Sequence, residues 1–142
     1  MPLTTVWGVR AALLWLAGAA FLGAMLFLRG VAGHPEWARL IPLHAEMMLV
    51  GWMMQLAFSI AHWILPRVPV APAGGGRGHP WAIVLVLLAL NLGVIHVAIG
   101  RAGLGRPVEA AAVLLFVLQG IPRVRAAGWG ATGKEGDLVR LK

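Results

Sequence analysis

A chain of 142 residues is about one domain long, and 60% apolar against 12% charged residues is far from a water-soluble domain, where about a quarter of residues are charged. The mean hydropathy of +0.83 agrees and points to a transmembrane protein. The net charge of +7 comes from arginines and lysines that flank apolar runs and are not interleaved with stacking aromatics, which excludes a nucleic-acid surface, and the absence of cysteine excludes disulfides, iron–sulfur clusters, thiolate zinc sites and covalently attached c-type haem.

The first apolar run, about 7–28, is long enough to cross a bilayer and is read as a span, not as a cleavable signal. Arg10 sits one turn inside and can snorkel to the interface, and Arg29 and Gly30 close the run. A loop with His34, Pro35, Glu36 and Trp37 leads to a second span, about 38–65, flanked by Trp37 and Trp63 and stopped by Pro66 and Arg67. The stretch "RVPVAPAGGGRGHP" (67–80) reads as a polar loop. A third span covers about 81–100. After the loop "RAGLGRP" a short fourth span is expected over about 107–121, with Pro107 at the favoured first helical position and Glu109 near the positive helix end. Residues 122–142 form a charged, glycine-rich tail. No internal repeat is visible.

Four spans make an all-α fold, an integral-membrane up-and-down four-helix bundle in a single domain, 1–142, with the lipid bilayer as its first partner. Both termini then share one side. That side carries eight basic residues (Arg10, Arg67, Arg77, Arg123, Arg125, Lys134, Arg140 and Lys142), and the other carries four (Arg29, Arg39, Arg101 and Arg106). The positive-inside rule places both termini, and the tail, in the cytoplasm. The expected location is a bacterial or archaeal cell membrane.

The second span carries the groups that lipid cannot satisfy. At about 100° per residue, His44, Gly51, Gln55 and His62 align on one face, with Ser59 at its edge, and such a face is expected to point into the bundle. Gly51 leaves room for something flat or bulky beside the backbone. The third span has one histidine, His96, near its C-terminal end, and its depth matches that of His44 to about one turn. Two imidazoles at equal depth on two helices can clasp the iron of a b-type haem, with Gly93 and Ala89 leaving space beside the ring. The expected cofactor-binding set is therefore His44, His96, Gly51, Gln55 and Gly93, with His44 and His96 as the metal ligands. The opposing reading is that each histidine only hydrogen-bonds a neighbouring helix. His62 lies close to Trp63 and Pro66, where water can satisfy it. A second haem between His62 and His79 is a weaker arrangement, and His34 and His79 are otherwise given no role. Met47, Met48, Met53 and Met54 suggest a copper(I) site, but adjacent methionines splay around a helix, so packing is the better use and copper is less favoured than haem. Glu46 points about 200° away from His44 and is expected to be neutral or paired with a loop arginine. As a single carboxylate it makes no proton relay.

The stretch "LHAEMMLVGWMMQLAFSIAHWILPR" (43–67) resembles the second transmembrane helix of the catalytic subunit of haem–copper oxidases and their nitric oxide reductase relatives. In that family this helix starts outside with a histidine that ligates the low-spin haem and commonly ends in a proline and a basic residue. His44, Pro66 and Arg67 stand at those positions. The resemblance implies a haem ligand at His44 and possible respiratory-chain partner subunits. The family's catalytic subunit has about twelve helices and carries its second haem ligand and its copper histidines on later ones, so an oxygen-reducing centre is not implied here. The leading expectation is a small b-type cytochrome passing single electrons, with one haem near the outer face, either within one chain or shared across a homodimer. The alternatives are a cofactor-free accessory subunit of a larger respiratory oxidase or reductase, and a haem or gas sensor.

Overall fold

A computed structural model describes residues 1–29, 35–66 and 80–124. His34, His79, Arg67, Arg77 and the tail after Val124 lie outside the described residues, and with them any pairing of His62 with His79. Nine-tenths of the described residues are helical and none is in a strand. The helices are α1 (Leu3–Arg29), α2 (Pro35–Ala38), α3 (Ile41–Glu46), a π-helix (Met47–Met54), α4 (Gln55–Ile64), α5 (Pro80–Ala98) and α6 (Ala102–Gly120), with a 3₁₀ turn at Ile121–Arg123. Pieces α2 to α4 follow one another as a second span, and four helical stretches are long and apolar enough to cross a membrane: Leu3–Leu28, Glu36–Ile64, Trp81–Ala98 and Ala102–Arg123.

The contacts make an up-and-down four-helix bundle. α1 runs antiparallel to the second span, since His44 meets Ala19 while Gln55 meets Gly8. The second span runs parallel to α6: Phe58 stacks on Phe116 with centroids 4.0 Å apart, and His62 meets Arg123 further along both. α5 carries most of the core, with Ile83, Val86 and Leu90 buried against Ala112 of α6 and flanked by Val50, Met54 and Phe58. The outward faces keep Leu14, Phe21, Phe27, Leu88 and Leu114 exposed, which fits a membrane protein. Trp7, Trp63 and Trp81 are exposed together at one end of the bundle, where an aromatic belt would lie, and the Arg10 guanidinium sits 5.6 Å over the Trp7 ring.

Two boundaries differ from the sequence reading. α6 begins at Ala102, not at Pro107, so Pro107 is inside the helix and the fourth span gains the length it lacked. The α5–α6 turn is short because Gly100 takes a left-handed conformation (φ 80°), which lets the Arg101 N–H reach back to the His96 carbonyl at 2.7 Å. Gly103 and Gly105, which look like loop residues in sequence, are helical. Gly105 is buried because α6 there lies directly on α5: a Cβ on it would stand 2.6 Å from the Gly93 carbonyl oxygen. The second difference is the π-helix. The Gln55 N–H donates to the Val50 carbonyl, five residues back, so this segment holds more residues per turn than the α-helical spacing assumed for it.

Candidate functional site

The wide turn of the π-helix sets which way the polar residues of the second span face. Before it, the His44 side chain points at α1. Its Nδ1–H donates to the Ala19 carbonyl at 2.9 Å, and a Cβ on Gly23 would stand 2.7 Å from its Cε1, so the imidazole lies in the notch left by that glycine. Within it, Gly51 also faces α1. The space it leaves is filled by Trp15, whose Cγ would be 2.7 Å from a Cβ on Gly51. Met47 is used for packing too, its methyl group seated against Gly18.

After the wide turn, Gln55 and Ser59 are fully buried. Gln55 Nε2 donates to the Gly8 carbonyl at 3.3 Å, and its Oε1 accepts from Asn91 Nδ2 at 2.9 Å. Asn91 Oδ1 accepts from the Trp15 indole at 2.7 Å, and Asn91 Nδ2 also donates to the Leu87 carbonyl at 2.7 Å. Ser59 Oγ donates to the Gln55 carbonyl at 2.7 Å. One connected network thus ties α1, α4 and α5 together through the middle of the bundle.

At the far end, His62 is buried, not water-exposed. Arg123 is only 5% exposed, and its guanidinium closes the C-terminus of α4, donating to the carbonyls of His62 (2.8 Å), Leu65 (2.8 Å) and Pro66 (3.0 Å). Its Nη1 lies 3.4 Å from His62 Nδ1, where the neutral ring accepts. The planar fork of arginine suits this geometry, because several orphan carbonyls converge at a helix end.

His96 has Nδ1 on the Leu92 carbonyl of its own helix at 2.7 Å, in an exposed contact. Gly93, one turn earlier, is buried, and its notch is occupied: a Cβ there would stand 2.8 Å from Oε1 of Glu109. Glu109 is itself 7% exposed, and its Oε1 is a buried oxygen without a hydrogen-bond partner. Trp15 meets both Gly51 and Asn91, which puts His44, two turns before Gly51, and His96, after Asn91, toward the same end of the bundle. They are not face to face: His44 turns to α1, while the half-buried His96 bonds back along its own helix.

A haem held between His44 and His96 needs an open slot beside both rings. Gly51 and Gly93 would have to frame it, and these notches hold Trp15 and Glu109. Two cavities lie elsewhere. One of about 300 Å³ is bordered by Thr4, Gly8, Gln55 and Asn91, and another, about 640 Å³, is an apolar groove along Trp52, Leu56, Ile60 and Ile64. Neither is lined by His44 or His96, and among the described residues Trp15 and Glu109 fill the frame that a haem between these histidines would use. Among the described residues no group of three or more His, Asp or Glu side chains gathers as a metal site. No protein-family model, no curated protein and no solved structure matches the chain.

Sequence reasoning missed Trp15, Asn91, Glu109 and Arg123. Asn91 and Glu109 had a signal, each being a strongly polar residue inside an apolar run. Trp15 had none, because an aromatic in a membrane helix is ordinary.

Proposed function

We propose that the chain is an integral-membrane accessory subunit, a four-helix bundle that works within a larger membrane complex and holds no haem between its own helices. The observation that carries this reading is the filled interior: His44 is seated in the Gly23 notch on the Ala19 carbonyl, the notches of Gly51 and Gly93 receive Trp15 and Glu109, and the middle is tied by the Trp15–Asn91–Gln55 network. Histidine, asparagine and glutamine serve here as the polar joints that membrane helices use in place of a hydrophobic driving force. The likeness of residues 43–67 to a helix of respiratory oxidase and reductase catalytic subunits supports such a complex as the partner. The eight-to-four distribution of basic residues supports cytoplasmic termini.

An absorbance spectrum of the purified protein, with and without dithionite, tests the reading. The expected result is a colourless protein whose His44→Ala and His96→Ala variants remain folded in the membrane. A sharp reduced α-band that either substitution removes would overturn it and establish a b-type cytochrome, with the half-buried His96 then meeting its haem outside the single-chain interior. A C-terminal reporter fusion tests the orientation, with cytoplasmic activity expected.

A further inference from the structure

α1 and α5 run parallel, since Gly8 lies against Leu87 and the Trp15 indole reaches Asn91, so both helices begin at the same end of the bundle, at Leu3 and Pro80. Between them lies the cavity of about 300 Å³. Thr4, Trp7 and Ala11 border it from α1, Val84 and Leu88 from α5, and Gln55 from the second span at its back. Trp7, Val84 and Leu88 are exposed, so the cavity opens sideways to the surroundings of the bundle. Gln55 is fully buried and its amide is turned onto the Gly8 carbonyl and Asn91, which leaves an apolar surface for an occupant. The crevice runs along α5 from Val84 to Asn91, seven residues or about 10 Å of helix axis. Its mean cross-section is then about 30 Å², whereas a helix about 10 Å across needs about 80 Å². A partner helix does not enter such a space, but a single hydrocarbon chain does.

The end at which this crevice starts is positive. Arg10 is exposed, and its guanidinium stands 5.6 Å over the ring of Trp7, which borders the mouth. The two helices that flank the crevice both turn their N-termini, the positive ends of their dipoles, to this side, and neither has an acidic residue in its first turn. Among the described residues the acids are Glu36, Glu46 and Glu109, and all three stand in the opposite half of the bundle, where the second span and α6 begin. We infer that the crevice is a binding site for one anionic phospholipid, with an acyl chain laid between α1 and α5 and the phosphate beside Arg10 at the N-terminal ends of the two helices. A neutral lipid satisfies the crevice but not the charge, and a free phosphate satisfies the charge but not the crevice. The inference rests on the reading of the chain as an integral-membrane protein, and not on which complex it serves.

Native mass spectrometry tests it, on the full chain released from nanodiscs of mixed dioleoylphosphatidylglycerol and dioleoylphosphatidylcholine. The wild type should retain one phosphatidylglycerol in preference to phosphatidylcholine. Arg10→Gln should cut that preference about fivefold, as the loss of one cation beside an anionic lipid gives. Arg106→Gln, equally exposed but in the opposite half, should leave it unchanged. Leu88→Trp fills the crevice from its exposed rim, and Leu88 takes no part in the Gln55–Asn91 bonds, so retention of either lipid should be lost while circular dichroism shows the helices intact. A phosphatidylglycerol with a diazirine on its acyl chain should crosslink to residues 4–11 and 84–91. Equal retention of the two lipids overturns the inference, as does an Arg106→Gln effect as large as that of Arg10→Gln, or crosslinks confined to the groove along Trp52 and Ile64. A chain that fails to enter nanodiscs overturns the membrane reading and this inference with it, whereas a chain that inserts and keeps no lipid overturns the inference alone.

Discussion

The contact between α1 and the second span is built of glycines that receive side chains, whereas the contact between α5 and α6 adds to one of these, Gly93 under Glu109, a glycine that meets backbone, Gly105. On α1, Gly8, Gly18 and Gly23 accept Ser59, Met47 and His44, and two hydrogen bonds, His44 to Ala19 and Gln55 to Gly8, cross the same interface. On α6, Gly105 brings the helix onto the Gly93 carbonyl, and Ala112 extends the contact into the buried cluster of Ile83, Val86 and Leu90. In lipid, burying an apolar side chain against another helix gains little over leaving it in hydrocarbon, so helix pairs are held by close van der Waals packing and by polar joints. The first interface combines both means, whereas the second relies on close packing that at Gly105 reaches the backbone. The difference predicts that the first tolerates small changes, because a side chain can turn aside, and that the second does not, because a backbone carbonyl cannot.

The largest effect is expected at Gly105. A leucine there would push Cβ to 2.6 Å from the Gly93 oxygen and 2.9 Å from Cγ2 of Val97, so α5 and α6 must separate. Overpacking of this kind costs about 3 kcal/mol or more when backbone has to move. Unfolding in detergent should show Gly105→Leu as the least stable variant of the series, and a normal unfolding midpoint would mean that α6 does not sit on α5 as described.

Asn91→Leu should come next, at about 2 kcal/mol. It leaves the Trp15 indole N–H and Gln55 Oε1 without their partner, and such orphaned groups cost about 1–3 kcal/mol each while membrane hydrogen bonds average near 0.6. The comparison sharpens if Trp15→Phe alone costs less than Asn91→Leu. A double-mutant cycle between the two then reports the coupling, and additive costs would break the claim that they form one network.

Arg123→Ala is expected to cost about 1–2 kcal/mol by freeing the carbonyls of His62, Leu65 and Pro66 at the end of α4. Lysine should rescue little, because it cannot place several donors in one plane. Hydrogen exchange at the C-terminal turn of α4 measures it, and full rescue by Arg123→Lys would show that only the charge matters. The smallest effect belongs to Gly23→Ala. Its methyl group would meet the His44 ring at 2.7 Å, yet an imidazole can rotate away, so a loss of about 1 kcal/mol or less is expected, with a shift in the His44 ring resonances. A loss as large as that of Gly105→Leu would remove the distinction between the two interfaces.

Composition and hydropathy alone determined the all-α class and the four long apolar segments, and the helical period grouped His44, Gly51, Gln55 and His62, with Ser59 at the edge, because runs of apolar residues near 20 long and a 3.6-residue period are local properties. What only the tertiary structure decided is which neighbour each of these residues meets. The π-helix at Met47–Met54 alters the turn between His44 and Gln55, and no residue in "MMLVGWMM" announces it. Gly51 and Gly93 read in sequence as space for a flat ligand, but a glycine says only that a side chain is missing, not what fills the gap. Trp15 and Glu109 fill these, from helices far away in the chain. Helix identity follows from neighbours along the chain, whereas the site depends on contacts across it, and these are set by the rotation and tilt at which four helices pack.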